Sequence, residues 1–268
     1  MKYLLFIFFC FSVTSGFSQA DTSFHLLRVI KGDIVDFTVD NLNNIYIINS
    51  TNQLKKINAD GDSMAVFNDV KKFGQLSYID VSNPLKPLIY YRDFATIVVL
   101  DRYLNIRNTI DLRKQNIFSV KAIGQSYDNK IWLYDEQDNK LKKIDEDGKV
   151  LLETPDFRLL FEKIPSPQSL FDHDKYVYLY DLQLGVYVFD YYGSFKNKIL
   201  ITGWQNFRAS GNFIFGSNAD TLNRYEISSF RLDQWKMPET ISMSRSFNFT
   251  STRLYVFKKG GIEIYSYR

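Results

Sequence analysis

The stretches IYIINSTNQLKKINADG (Ile45–Gly61) and IWLYDEQDNKLKKIDEDG (Ile131–Gly148) read almost alike, 86 residues apart. In each, β-branched and aromatic residues predict a strand, Ile45 to Asn49 and Ile131 to Asp135. Polar residues then turn the chain. A second strand follows, Leu54 to Asn58 and Leu141 to Asp145, and Asp60-Gly61 and Asp147-Gly148 mark a hairpin turn.

The same frame returns four more times. Its first strand opens at residues 45, 88, 131, 177, 213 and 254, with spacings of 43, 43, 46, 36 and 41 residues. A period near 40 with several strands per unit indicates propeller blades. Leucine-rich repeats are shorter, and tetratricopeptide or HEAT units need helical periodicity, whereas apolar and polar residues here alternate with period 2. The expected fold is therefore all-β, a six-bladed β-propeller. Inner strands are expected within 33–40, 74–82, 117–124, 166–172, 204–210 and 246–252, and outer strands in 108–113 and 149–154. After Tyr265 too few residues remain for a fourth strand, while Phe24 to Ile30 belongs to no blade. That N-terminal strand is expected to complete the last blade and close the ring, which removes open edges. One insertion, FRLLFEKIPSP (Phe157–Pro167), is expected to be a loop with a short helical turn, of the kind that sometimes lines a binding site.

Residues 1–20 read as a secretory signal peptide, leaving residues 21–268 as one domain. Lys2 is followed by an apolar run, Tyr3 to Val13, that is too short to span about 30 Å of bilayer, and Ser18 and Ala20 fit the cleavage site. Cleavage removes Cys10, the one cysteine, and with it any disulfide, thiol nucleophile or thiolate ligand. Export without disulfides fits a bacterial periplasm or outer membrane, or the extracellular space. Net charge is +3, and +2 without Lys2, so nucleic acid has no basic footprint. No later run is long enough for a transmembrane segment. The pairs Lys55-Lys56, Lys71-Lys72 and Lys142-Lys143 read as solvated strand edges.

At the level of the repeat, a strand, a turn and then LKKIDEDG, the chain resembles six-bladed propellers of the NHL, YVTN and TolB-like kind. The ending GFSQA resembles signal peptides of Bacteroidota. The resemblance implies an envelope protein and leaves function open, since such relatives include ligand-binding modules, scaffolds, lyases and lactonases.

Chemistry is sparse. The only histidines are His25, on the closing strand, and His173, between Asp172 and Asp174. Zinc lacks ligands. For calcium, NADGD (Asn58–Asp62), DEDG (Asp145–Gly148) and SNAD (Ser217–Asp220) supply clustered oxygens, but none is an EF-hand loop, and Asp-Gly turns explain the first two. No metal or cofactor is expected. Candidate funnel or rim residues are Asp36, Asp80, Lys121, His173, Arg208 and Asn248, with no obvious acid/base pair among them. Asn49 and Asn248 start N-glycosylation sequons. Ser63 and Thr221 sit in DSM and DTL, which resemble the short O-glycosylation motif of Bacteroidota. The expected function is a non-catalytic propeller that binds another envelope protein or peptide. The alternative is a small-molecule or glycan binder, or a lyase or hydrolase, that uses the central funnel.

Overall fold

A strand such as Ile131-Trp132-Leu133-Tyr134, apolar at every position, must hide both faces. In the computed structural model it does so between two neighbouring sheets. The structure describes residues 24–267 except 69 and 245, and for residues 70 and 71 the backbone alone. The expected signal peptide, with Cys10, lies outside the described residues.

After β1 (Phe24–Ile30), blade 1 is β2 (Asp36–Val39), β3 (Ile45–Ile48), β4 (Leu54–Ile57) and β5 (Ser63–Phe67). A short helix α1 (Val70–Phe73) leads to blade 2: β6 (Tyr78–Asp80), β7 (Leu88–Tyr91), β8 (Thr96–Leu100) and β9 (Ile106–Asp111). Blade 3 is β10 (Val120–Gln125), β11 (Ile131–Asp135), β12 (Lys140–Ile144) and β13 (Val150–Glu153). Past α2 (Phe157–Leu160) come β14 (Ser169–His173), β15 (Tyr176–Asp181), β16 (Gly185–Asp190) and β17 (Phe195–Ile199) as blade 4. Blade 5 is β18 (Gln205–Ser210), β19 (Phe213–Asn218), β20 (Thr221–Glu226) and β21 (Arg231–Lys236). After α3 (Glu239–Ser242), blade 6 holds β22 (Ser246–Phe249), β23 (Arg253–Lys258) and β24 (Gly261–Tyr267). Each sheet is a four-stranded antiparallel meander, and β1 supplies the outer strand of blade 6. The six-bladed ring and its closure are as the repeat implies.

Side chains explain the stacking. Alternate residues of one strand enter different interfaces: Ile131 and Leu133 pack towards blade 2, Trp132 and Tyr134 towards blade 4. Among the described residues one apolar cluster fills each of the six blade interfaces. Each fully buried large side chain contributes about 1.5–3 kcal/mol by leaving water. At the closure, Phe24 pairs with Tyr267 and Ile30 with Ile262. Gly261 carries φ +138°, and a Cβ there would lie 2.0 Å from the Ile30 carbonyl oxygen, so only glycine lets β1 dock.

The insertion is structural. Asp156 caps α2, accepting from the Arg158 N–H at 2.8 Å. Fully buried Phe157 stacks on Phe189 at 5.2 Å and 3°, and Phe161 packs edge-on to both. The segment therefore plugs the interface between blades 3 and 4.

The lysine pairs correct another expectation. Lys55 and Lys72 are exposed, but Lys56, Lys142 and Lys143 are buried. Lys142 lies 2.7 Å from Asp135 and also pairs with Asp138, and Lys143 lies 2.7 Å from Asp128. Lys56 donates to the Arg102 carbonyl of blade 2 at 3.1 Å. These are ties within and between blades, not solvated edges.

The acidic turns are accounted for locally. Asn58 Oδ1 accepts from the N–H groups of Asp60 and Asp62, and Asp145 Oδ1 from those of Asp147 and Lys149. Asp101 and Asp190 cap the same turn in blades 2 and 4. Side-chain caps of this kind specify turns. In NADGD and DEDG one side-chain oxygen of the candidate calcium set, from Asn58 and from Asp145, is thus used as a turn cap. Among the described residues no group of three His, Cys, Asp or Glu could hold a metal.

Candidate functional site

Inner strands ring the axis, and their side chains meet there. A cavity of about 540 Å³ opens at the C-terminal ends of β2, β6, β10 and β22 and runs along β14 and β18. Two local features shape it. Gly124 of β10 lets blade 4 approach, since a Cβ there would sit 2.7 Å from the Leu170 carbonyl oxygen. In β18 the register with β19 slips between Gln205 and Arg208, and Asn206 adopts φ 53°. Such a bulge re-aims the residues beside it. Phe207 stacks on Tyr180 at 3.6 Å, while Arg208 lines the cavity.

Of the residues expected from sequence, Asp80, His173 and Arg208 line this one cavity. Asp80 is buried, and both its oxygens are engaged: one accepts from the Ser82 N–H and the other from the Gln125 N–H, each at 2.8 Å. Burial pushes its carboxyl above the usual range, against those two bonds and Arg208. Tyr78 beside it is pushed up by burial and by Asp80. Arg208 faces them from the opposite blade. Burial draws its guanidinium down, while Tyr78, Asp36 and Asp80 act against that. It remains a cation, because an arginine is effectively always protonated. The Arg208 guanidinium makes no hydrogen bond or ion pair with any described residue. His173, half-buried, stands at the rim, next to a turn in which Asp174 and Lys175 have φ 44° and 69°.

The other candidates lie elsewhere. Asp36, exposed at the start of β2, accepts from the Phe37 N–H at 2.8 Å and reaches Arg208 only through its field. Lys121 is not with the group. Next to a register slip in β10, it pairs with Glu136 at 3.4 Å and lines a smaller depression that shares Tyr78 and Gln168 with the cavity. Asn248 is a structural tie: its side-chain amide donates to the Phe37 carbonyl at 3.1 Å and joins blade 6 to blade 1. His25 is exposed on the outer strand β1. Ser63 opens β5 and is exposed, whereas Thr221, half-buried, opens β20.

Sequence reasoning missed a second group at the same rim. Tyr127 and Tyr191 stack at 4.6 Å and 14° over a groove that shares Asp172 and His173 with the funnel. Both tyrosines sit in turns, SYDN of blade 3 and DYYG of blade 4, where a tyrosine carries no strand signal. Tyr127 lies between the first and second strands of blade 3 and Tyr191 between the third and fourth strands of blade 4, so no common repeat position signals the pair.

The sequence matches no family profile and no curated protein sequence. Solved structures with the same fold include a streptogramin B lyase, 12% identical with a TM-score of 0.58, over 94% of this chain and 100% of that one. A catalytically inactive histidine-to-alanine virginiamycin B lyase from Staphylococcus aureus, with quinupristin, is 14% identical (TM-score 0.56; 91% and 88% covered). The Pan2 WD40 domain of Neurospora crassa is 11% identical (TM-score 0.56; 92% and 82% covered). These likenesses concern the fold alone. Among the described residues no helix is long and apolar enough to cross a membrane.

Proposed function

We propose that this chain is a non-catalytic binding propeller of the bacterial envelope, and that its funnel takes up the anionic end of a ligand. The observation that carries this reading is Arg208, a guanidinium lining a cavity of about 540 Å³ that makes no hydrogen bond or ion pair with any described residue. A guanidinium offers a planar fork of donors that matches a carboxylate or phosphate. Catalysis finds less support, because Asp80 already spends both oxygens on backbone N–H groups. Titration calorimetry with succinate, citrate and glucuronate tests it. At least one should bind, and Arg208→Ala should weaken binding about tenfold or more. No binding by any of the three, or equal binding by the variant, overturns the funnel reading.

A second reading is a scaffold for an envelope protein or peptide. It is favoured by Leu26 and Leu27, each 53% exposed on the outer strand β1. A pull-down from envelope fractions of the source organism tests it. A stable partner lost in Leu26→Ser/Leu27→Ser but kept in Arg208→Ala supports the scaffold; no stable partner counts against it.

A further inference from the structure

Beyond the funnel, the geometry points to a sugar-binding subsite in the groove between the turns of blades 3 and 4, able to hold a neutral oligosaccharide. The groove rests on a fixed aromatic platform. Tyr191 donates its hydroxyl to Asp172, which also accepts from the Ser126 hydroxyl at 2.9 Å. Tyr127 lies flat on Tyr191. The Lys143 ammonium sits 5.7, 5.2 and 5.4 Å from the rings of Tyr127, Trp132 and Tyr191, and Asp128 holds it at 2.7 Å. Yet Tyr127 is 70% exposed, so the ring face away from Tyr191 is open to solvent. Tyr192, beside it in the groove, is 85% exposed. Rings locked in place but left bare lose little conformational entropy when a ligand lands on them.

The lining selects the ligand. It contains no Leu, Ile, Val or Met, which an amphipathic helix or apolar peptide segment would need. Three carboxylates, Asp172, Asp174 and Asp190, balance three ammoniums, Lys143, Lys175 and Lys196, so no strongly charged chain is favoured. A pyranose fits both properties. Its C–H face is apolar and flat enough for a tyrosine ring, and its rim of hydroxyls donates to carboxylates and accepts from ammoniums. The turn that carries His173, Asp174 and Lys175 between groove and funnel is strained, because Lys175 holds φ 69° where a glycine or asparagine is the usual choice.

Saturation-transfer NMR titrations of the full chain with cellohexaose, xylohexaose, mannohexaose and chitohexaose test this subsite. At least one should bind with a Kd of about 1 mM or tighter. Tyr127→Ala should weaken it about tenfold and Tyr127→Phe by less than about threefold, because the ring face and not the hydroxyl makes the contact. Arg208→Ala should leave sugar binding unchanged, which separates this subsite from the funnel reading. Circular dichroism should confirm that each variant keeps its fold. No binding by any of the four at about 5 mM, or undiminished binding by Tyr127→Ala, overturns the proposal. So does a peptide that occupies the groove where the four sugars do not.

Discussion

The interfaces between blades 1 and 2 and between blades 3 and 4 start from the same Leu-Lys-Lys-Ile strand and end differently. The registers are equivalent: Lys56 lies opposite Tyr46, and Lys143 opposite Trp132. Each ammonium sits 5.2 Å from the ring it faces. Each then reaches the turn of the next blade, just after a capping Asp. At the first interface that turn offers Arg102, and Lys56 takes its carbonyl. Burial lowers the Lys56 ammonium, with the Arg102 charge adding to the effect against Asp40 and Asp101. At the second interface the turn offers Tyr191, and the lysine becomes the base of an exposed aromatic stack. The partner lysines diverge as well. Lys55, opposite Ile47, stays in water. Lys142, opposite Leu133, is buried between Asp135 and Asp138, which outweigh its burial and hold the ammonium above its ordinary value. A repeated strand therefore fixes where a lysine starts, and the neighbouring turns decide what it does.

The largest effect should come from breaking the Lys142 triad. Lys142→Met leaves the fully buried Asp135 carboxylate without its counter-ion, with only the Gln137 and Asp138 N–H groups, which costs about 3–5 kcal/mol. Lys55→Met, on the surface, should change stability by less than about 0.5 kcal/mol. Urea denaturation measures both, and equal costs would end the distinction. Adding Asp135→Leu to Lys142→Met should recover most of the loss, since an apolar pair can replace a buried ion pair.

A middle-sized effect should appear in alkali. Burial pushes Tyr178, Tyr180 and Tyr255 up to about 12, and burial together with Asp40 pushes Tyr46 higher still. An unfolded phenol ionises near pH 10. Above that pH the native state holds protons that the unfolded chain has released. Stability is therefore intact below about pH 10 and falls by about 1.4 kcal/mol per pH unit for each such phenol. Tyr46→Phe should remove one increment from this slope, measured as the urea midpoint against pH. Trp132→Phe, at the equivalent place in blade 3, should lower stability and leave the slope unchanged.

The smallest effect converts one interface towards the other. In Arg102→Tyr the carbonyl that Lys56 uses remains, but the repelling cation is gone. The Lys56 ammonium should rise towards its ordinary value in a lysine NMR titration, with stability changed by less than about 0.5 kcal/mol. An unmoved Lys56 would mean that the Arg102 charge does not contribute to its state.

Much of the fold was legible because blade structure is local. Period-2 alternation, Asp-Gly turns and the spare strand at Phe24 to Ile30 each act over a few residues, and the ring repeats them. The candidate site was legible only in part. Asp80, His173 and Arg208 could be named from their inner strands, but not their meeting across the axis. Lys121 lines a separate, smaller depression next to a register slip in its strand, a local irregularity that period-2 reading does not foresee. Asn248 is a tie to a blade more than 200 residues away in sequence.

From sequence alone came six blades, their strands, their turns and the closing strand, because hydrophobic period and turn chemistry are written in neighbouring residues. The tertiary structure alone decided that Arg208 lines the funnel without an ion pair to any described residue, that Lys142 is buried and Lys55 is not, and that Tyr127 and Tyr191 stack. Each of these depends on what the adjoining or opposite blade presents. Ring closure sets that juxtaposition, and no single stretch of sequence contains it.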